Sequence, residues 1–539
     1  MSVCLLVTMP LNAQEKFDYT RVVAPPIKAM SAPKLWEGDS RNIGALNIPI
    51  STADDLVQQH VRQGFALLHA QWDIEAYRHF VAALKREPDC LMAYCGVVMS
   101  LLNPEHEWKD YRAVAVNRML TLAEHKSGEG DTADFVFPTN ERDYAIAIGS
   151  LVVNGMEAGA ASFNVLAEKY PNDLQLALFA PFFNRGKYDV FGSSDEKQDK
   201  AVNAVKKLLD ENPDNPLVAN FYVMMQIEAP YNALNQKDDV LPYAKNLVRL
   251  GGEEFPCWQM IQGFSAWRAG DLELARDSYE EAVSLYEAWK LEAKAEISEC
   301  DGLLRAYRFL AVIYYQMGDE DKSEVMLNNL ARGGKARKTS DVYKVHDWCD
   351  KMMPVNMFIS SEEPNAIKEM LKSLPKIESN NKSKDLYNTV IKAYQAYGLT
   401  KSYMNSGEVE KFVKMSQVLS QLLKEISVKR SKEVNKKHFR QCTLLLESLK
   451  LYTAELTAEH TKGAGVYSFY REAIDKQMRP SRYFPPSVLY PVEYKLAKYY
   501  EKRGDLKKAR ETYKAALKRM PSHKPSKIAY DKLMALLEG

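Results

Sequence analysis

The feature that most restricts this chain is a spacing of small and aromatic residues that recurs along it. It is clearest over residues 490–521, YPVEYKLAKYYEKRGDLKKARETYKAALKRMP. Leu496, Ala497 and Tyr500 recur at the three- and four-residue steps that place side chains on one helix face. Gly504 and Asp505 mark a turn. Ala509, Tyr513 and Ala516 line one face of a second helix, which Pro521 ends. The alanines let two antiparallel helices approach closely, and the tyrosines fill the space beside them. One such hairpin cannot bury its apolar face alone, so the pattern demands neighbours of its own kind.

Those neighbours are present in the same frame. Gly64, Leu67, Ala76, Phe80, Ala83 and Pro88 repeat the pattern within residues 57–90. Ile146, Ala147, Phe163 and Pro171 do so within 140–173, and Gly263, Gly270, Asp271, Ala275, Tyr279 and Ala282 within 256–289. Leu310, Ala311, Tyr314, Gly318, Ser323 and Leu327 do so within 304–337. Second-helix fragments stand at Ala201 to Pro213, Ala244 to Pro256 and Val466 to Ala473. The frame resembles the 34-residue tetratricopeptide repeat. Its opening unit, which runs into PDCLMAYCG from Pro88 to Gly96, resembles the leading repeat of uncharacterised exported bacterial proteins of that family. The resemblance implies an all-α, right-handed superhelical solenoid of antiparallel helix pairs in two arrays, with a binding role and no particular ligand.

The breaks in the pattern suggest the organisation. Residues 1–13 contain the apolar run Val3 to Leu11 ahead of polar sequence, which reads as a secretory signal peptide without its basic leader. Residues 14–50 are Pro-rich and read as an extended arm. An N-terminal array is expected over 51–377, a linker over 378–385 (ESNNKSKD), and a C-terminal array with a capping helix over 386–539. Asn103 to Lys109, His125 to Thr139 and Gly186 to Gln198 read as loops. The signal-like start points to an exported chain, periplasmic or extracellular, with the cytoplasm as the alternative. No later stretch approaches the ~20 apolar residues of a membrane helix.

Length and charge fit this picture. A chain of 539 residues exceeds what one core usually holds, whereas a repeat array grows by stacking. Lys plus Arg is 72 and Asp plus Glu is 71, a balance that argues against general nucleic-acid binding.

No chemistry-bearing motif stands out. The seven cysteines have no CxxC spacing, so neither zinc nor haem attachment is indicated and buried thiols are expected. The histidines form no HExxH; His69 and His79 could meet across the first hairpin, without an evident third metal ligand. GGKARK, Gly333 to Lys338, lacks the first Gly and the Ser or Thr of a phosphate loop and reads as a basic inter-repeat loop. His346, Asp347 and Cys349 lie close in sequence, but neighbours in sequence are seldom the pair that touches. The basic run Lys429 to Arg440 reads as a solvated helix junction. No catalytic residue, cofactor site or metal site is predicted.

The remaining expectation is a binding face. First helices of stacked hairpins line the inner side of a solenoid, and aromatic and Arg side chains are frequent anchors there. Phe264, Trp267 and Tyr315, with Arg305 and Arg308 beside them, are the expected partner-binding set on the concave face. The predicted function is a non-catalytic scaffold for a protein or peptide. The alternatives are a carrier of small ligands or glycans, or an enzyme subunit with a site within 338–480.

Overall fold

The computed structural model describes residues 17–36, 46–102, 108–128, 134–189, 192–251, 255–336, 341–377, 385–432, 439–461, 463 and 465–538, without the side chains of 334–347, 439, 440 and 538. The expected signal peptide and most of the linker lie outside this set, as do residues 433–438 of the basic run.

After a short helix, Pro25–Ala29, the described residues form helical hairpins in series. The N-terminal pairs are Asp55–His69 with Asp73–Arg86, Leu91–Ser100 with Lys109–Ala123, Thr139–Val153 with Met156–Lys169, and Leu174–Asn184 with Glu196–Glu211. Pro216–Gln226 with Leu241–Gly251, Pro256–Ala269 with Leu272–Ala293, and Asp301–Met317 with Glu320–Ala336 follow. The later pairs are Asp341–Ser360 with Ala366–Ser373, Asp385–Ser406 with Val409–Ser431, Phe439–His460 with Val466–Asp475, and Val492–Lys502 with Leu506–Arg519. Lys524–Glu538 closes the series on the last pair. Two features depart from the expected loops. Residues 125–139 carry a two-stranded antiparallel ribbon, Lys126 opposite Phe135. Gly333 to Ala336 continue a helix instead of forming a loop.

The Gly-Asp turns show why the hairpins fold locally. Gly270, Gly318 and Gly504 have φ of 86°, 87° and 75°, the left-handed conformation that ends a helix and suits glycine. The next residue donates its N–H five residues back: Asp271 to Ala266, Asp319 to Tyr314, and Asp505 to Tyr500. The same aspartates then accept from the first turn of the following helix, Leu274 N at 3.1 Å, Lys322 N at 3.1 Å and Lys508 N at 3.3 Å. Two residues thus end one helix and begin the next. In the first hairpin Gln71 stands at the glycine position with φ of 67°.

Packing follows the small–large alternation. The Phe80 ring lies between two glycines, where an added Cβ would stand 2.6 Å from it at Gly64 and 2.2 Å at Gly96. The Tyr279 ring uses the space over Gly263 in the same way.

The N-terminal hairpins wind tightly about the first turn. Asn220 donates to the His69 carbonyl at 2.6 Å, bringing the fifth hairpin back onto the first. The long Leu272–Ala293 helix reaches the same place, with Trp289 Nε1 donating to Glu75 at 2.8 Å. The Pro-rich arm packs outside this centre. Ala24 N donates to the Tyr77 hydroxyl at 3.0 Å, and Ser31 N donates to the Ala293 carbonyl at 3.0 Å.

One core cluster runs from Val22 through Met357 and takes in Leu489. A second runs from Trp348 to Leu496, and a third spans the last hairpin and the closing helix.

Candidate functional site

The inner face of Asp301–Met317 is covered by the chain itself. Residues 477–491 run without regular structure between the last two hairpins and lie along this face as a strap. Its Arg482 N–H donates to Glu228 at 2.7 Å, and Leu489 N–H donates to Ser360 Oγ at 3.1 Å. The last hairpin follows it inward. Pro521 sits against Gly270, where an added Cβ would be 2.7 Å from the proline Cβ, and the Arg519 guanidinium lies 3.9 Å from the Tyr231 ring centre.

The five expected binding residues meet this strap and their own neighbours. Phe264 is buried, packed edge-on to Phe309 at 5.5 Å between ring centres. Trp267 donates from Nε1 to Gln316 at 2.8 Å. Arg308 is fully buried, paired through two nitrogens with Asp350, and lies 5.4 Å from the Phe484 ring centre. Arg305 pairs with Asp301 at 3.0 Å and lies 4.9 Å from the Tyr483 ring centre. Tyr315 donates to the Met357 carbonyl at 3.0 Å. Of the five, Arg305 lines the first of two cavities and Trp267 the second, while Phe264 and Arg308 are buried and Tyr315 is partly buried. Phe264, Arg308 and Tyr315 are walls, because residues outside the repeat frame occupy the face that the frame alone would leave bare.

Two cavities flank the strap. The first, of about 390 Å³, lies where the ends of several first helices converge on the turn of the first hairpin. Its walls are aromatic: Trp72 and Trp289, Phe179, Phe182 and Phe221, Tyr286 and the strap's Tyr483. Arg305, Asp301, Glu299 and Asp73 supply charge. The second cavity, of about 620 Å³, lies between the Pro256–Ala269 helix, the 230–232 loop, the Val466–Asp475 helix and the strap, and Trp267 lines it. Sequence spacing did not identify Trp72, Trp289 or the strap. The one available signal was the length of Leu272–Ala293, which outruns a repeat helix and carries Trp289 across to the first hairpin.

Three titratable groups near the first cavity are shifted by burial. Burial pushes the thiols of Cys257 and Cys300 up to about 12. His69 at the cavity wall is held down at about 4 by burial, against a hydrogen bond to Gln175 at 3.0 Å. The expected meeting of His69 with His79 is replaced by one between His60 and His79, whose Nδ1 atoms are 3.1 Å apart. Helical geometry explains the exchange: His69 lies at the end of its helix, turned toward Phe179 and Phe221 of later hairpins. Among the described residues no group of three or more His, Cys, Asp or Glu side chains could hold a metal, and no helix is long and apolar enough to cross a membrane. Cys90, Cys95, Cys257, Cys300, Cys349 and Cys442 are free thiols, and all but Cys349 are buried.

Comparison with known proteins identifies one repeat in sequence. The tetratricopeptide repeat family model matches residues 492–523. No curated protein matches the chain in sequence. Among solved structures, a monomeric mutant of IFIT1 with Gppp-AAAA is 11% identical, with 90% of this chain and 91% of that one covered at a TM-score of 0.33. The P58(IPK) TPR domain is 11% identical, with 89% and 98% covered at a TM-score of 0.20. The human IFIT1 dimer with m7Gppp-AAAA is 10% identical, with 91% and 92% covered at a TM-score of 0.30. Residues 492–523 thus form a tetratricopeptide repeat at the C-terminal end of the chain, and helical hairpins in series precede it.

Proposed function

We propose that this protein is a non-catalytic scaffold that binds a protein or peptide partner on its inner face, and that an apolar side chain of the partner anchors in the aromatic cavity. The observation that carries this reading is the cavity itself. Apolar pockets rimmed by a few placed polar groups are the usual form of a binding site. Aromatic walls with an adjacent Arg are the composition in which binding energy concentrates. Arg305 and Asp301 at the edge can orient a backbone or a polar neighbour of the anchor. Of the expected set, Arg305 and Trp267 contact the partner, while Phe264, Arg308 and Tyr315 hold the walls. The raised thiols and the depressed His69 support a binding role over a catalytic one. The signal-like start keeps export as the proposed location, which N-terminal sequencing of the mature chain would decide.

The test is selection of displayed peptides on the full chain, followed by binding to a Leu68→Trp variant that fills the cavity from its partly buried wall. Helicity and melting are compared first. Selected peptides should share an aromatic or large aliphatic anchor and bind the variant at least tenfold more weakly. Peptides that bind both forms equally, or a selection that yields none, would sink the proposal.

A further inference from the structure

The second cavity has a different chemistry from the first. Five basic side chains line it, Arg268, Arg471, Lys476, Arg479 and Arg519, against two carboxylates, Asp189 and Asp475. Lys476 is paired with Glu472 at 3.3 Å and Arg519 with Glu493 at 2.7 Å. Among the described residues, Arg268, Arg471 and Arg479 make no salt bridge. Arg471 and Arg479 are exposed, so water serves them at little cost. Arg268 is in a different position. It is partly buried, donates to the Ile227 carbonyl at 2.6 Å, and has Glu228 as its nearest opposing charge. Glu228 is already engaged by the strap's Arg482 N–H. Burial holds the Arg268 guanidinium down at about 9, far below an ordinary arginine. A cation kept in that setting gains from an anion brought beside it.

We propose that this cavity binds an acidic peptide segment, whose carboxylates are taken by Arg268, Arg471 and Arg479. The inference deepens the functional reading above and rests on it, because it assigns the partner its charge. Three observations favour a peptide over a nucleic acid. The other walls are apolar, with Trp267, Leu451, Met478 and Val488 interleaved among the arginines. Such walls suit side chains that alternate acidic and aliphatic. A phosphate polymer would call for a continuous basic track, whereas here the two carboxylates break it. The chain as a whole carries a net charge of only +1. Guanidinium groups take carboxylates through paired N–H donors, a geometry that lysines do not offer.

The experiment uses the full chain and three fluorescein-labelled probes: an octapeptide of Asp, Glu and Leu, its Asn/Gln counterpart, and octathymidylate. The proteins are wild type, the exposed double variant R471Q/R479Q, and Leu68→Trp. The acidic peptide should bind wild type at least tenfold more tightly than its neutral counterpart, and raising the salt should weaken it. R471Q/R479Q should lose at least fivefold, and Leu68→Trp should leave the acidic probe unaffected. Equal binding of acidic and neutral peptides overturns the inference, as does binding to the double variant at wild-type strength. Absence of binding by every probe also overturns it. Tighter binding of octathymidylate than of the acidic peptide would replace the peptide by a phosphate polymer. If the acidic probe fails while peptides selected for an apolar anchor still bind, this inference falls and the scaffold reading stands. Failure of those selected peptides, with the acidic probe bound, would sink the aromatic anchor and leave a peptide scaffold whose site is the second cavity.

Discussion

His69 is surrounded by residues that arrive from the fourth and fifth hairpins. Gln175 meets its Nε2, Phe179 and Phe221 flank its ring, and Asn220 holds its carbonyl. Nothing charged is set against it, so burial alone disfavours the imidazolium. The unfolded chain takes up this proton near pH 6.5, whereas the folded chain refuses it until about pH 4. Stability is therefore present above pH 6.5 and is lost as pH falls toward 4, by about 2 kcal/mol at pH 5 from this group. Glu75, Glu141 and Asp173 have raised pKa values and act in the opposite sense, so the measurement must be a difference. The urea midpoint of wild type between pH 7 and pH 5 should fall further than that of His69→Gln. Parallel falls in the two proteins would show that the residue is solvated in solution.

At the scale of the element, the turn is the unit that sequence reads best. Gly-Asp at 270, 318 and 504 gives both the left-handed end of one helix and the cap of the next, and both jobs depend on local chemistry. The turn at Gly407, with φ of 73° and Glu408 N–H donating to the Tyr403 carbonyl, repeats only the helix-ending half of the device, since the Glu408 side chain does not cap the next helix. The first hairpin's turn was recognisable from Gly64, Ala76 and Phe80, although Gln71 takes the glycine conformation there. The strap could not be read this way. Residues 477–491 have no period, so nothing local says which face they cover. The other Pro-rich stretch, residues 14–50, packs in its described part against the first hairpin, with Trp36 also reaching Phe255. The candidate set suffered for the same reason. Repeat position put Trp267, Arg305 and Arg308 together in the candidate set, but could not register that Arg308 would find Asp350 and Phe484 beside it. The caps yield a direct check. Asp319→Ala and Asp505→Ala remove a half-exposed cap acceptor, together with its surface ion pair to Lys322 or Lys508, and should each lower stability by about 1 kcal/mol. Asp319→Asn and Asp505→Asn should recover most of it, as read from urea midpoints. Equal loss in the Ala and Asn variants would mean that charge near the helix start, not the cap, is what matters.

The whole molecule differs from an open solenoid in that its end returns to its middle. In an open array each hairpin meets only its neighbours, and stability is nearly a sum of local terms. Here the end of the last hairpin touches the sixth and fifth, with Pro521 on Gly270 and Arg519 on Tyr231, while the strap ties Glu228 to Arg482. Both cavities exist because of this return, since the strap supplies a wall to each. Two glycines measure it. Gly270 and Gly318 occupy the same turn position with φ of 86° and 87°. An alanine at either pays the left-handed backbone penalty of about 1 kcal/mol. At Gly318 nothing lies within 4 Å of the added Cβ, so that penalty is the whole effect. At Gly270 the Cβ would stand 2.7 Å from Pro521, so the last hairpin must shift or the turn must deform. Gly270→Ala should therefore destabilise by about 1–3 kcal/mol more than Gly318→Ala. A Pro521→Gly background should remove part of that excess, because it takes away the closest contact and leaves the Pro521 and Ser522 backbone atoms at 3.2 Å. If the two alanine variants have equal urea midpoints in the wild-type background, the last hairpin does not rest on the sixth in solution. The second cavity would then lose the wall formed by Arg519, Met520 and Pro521.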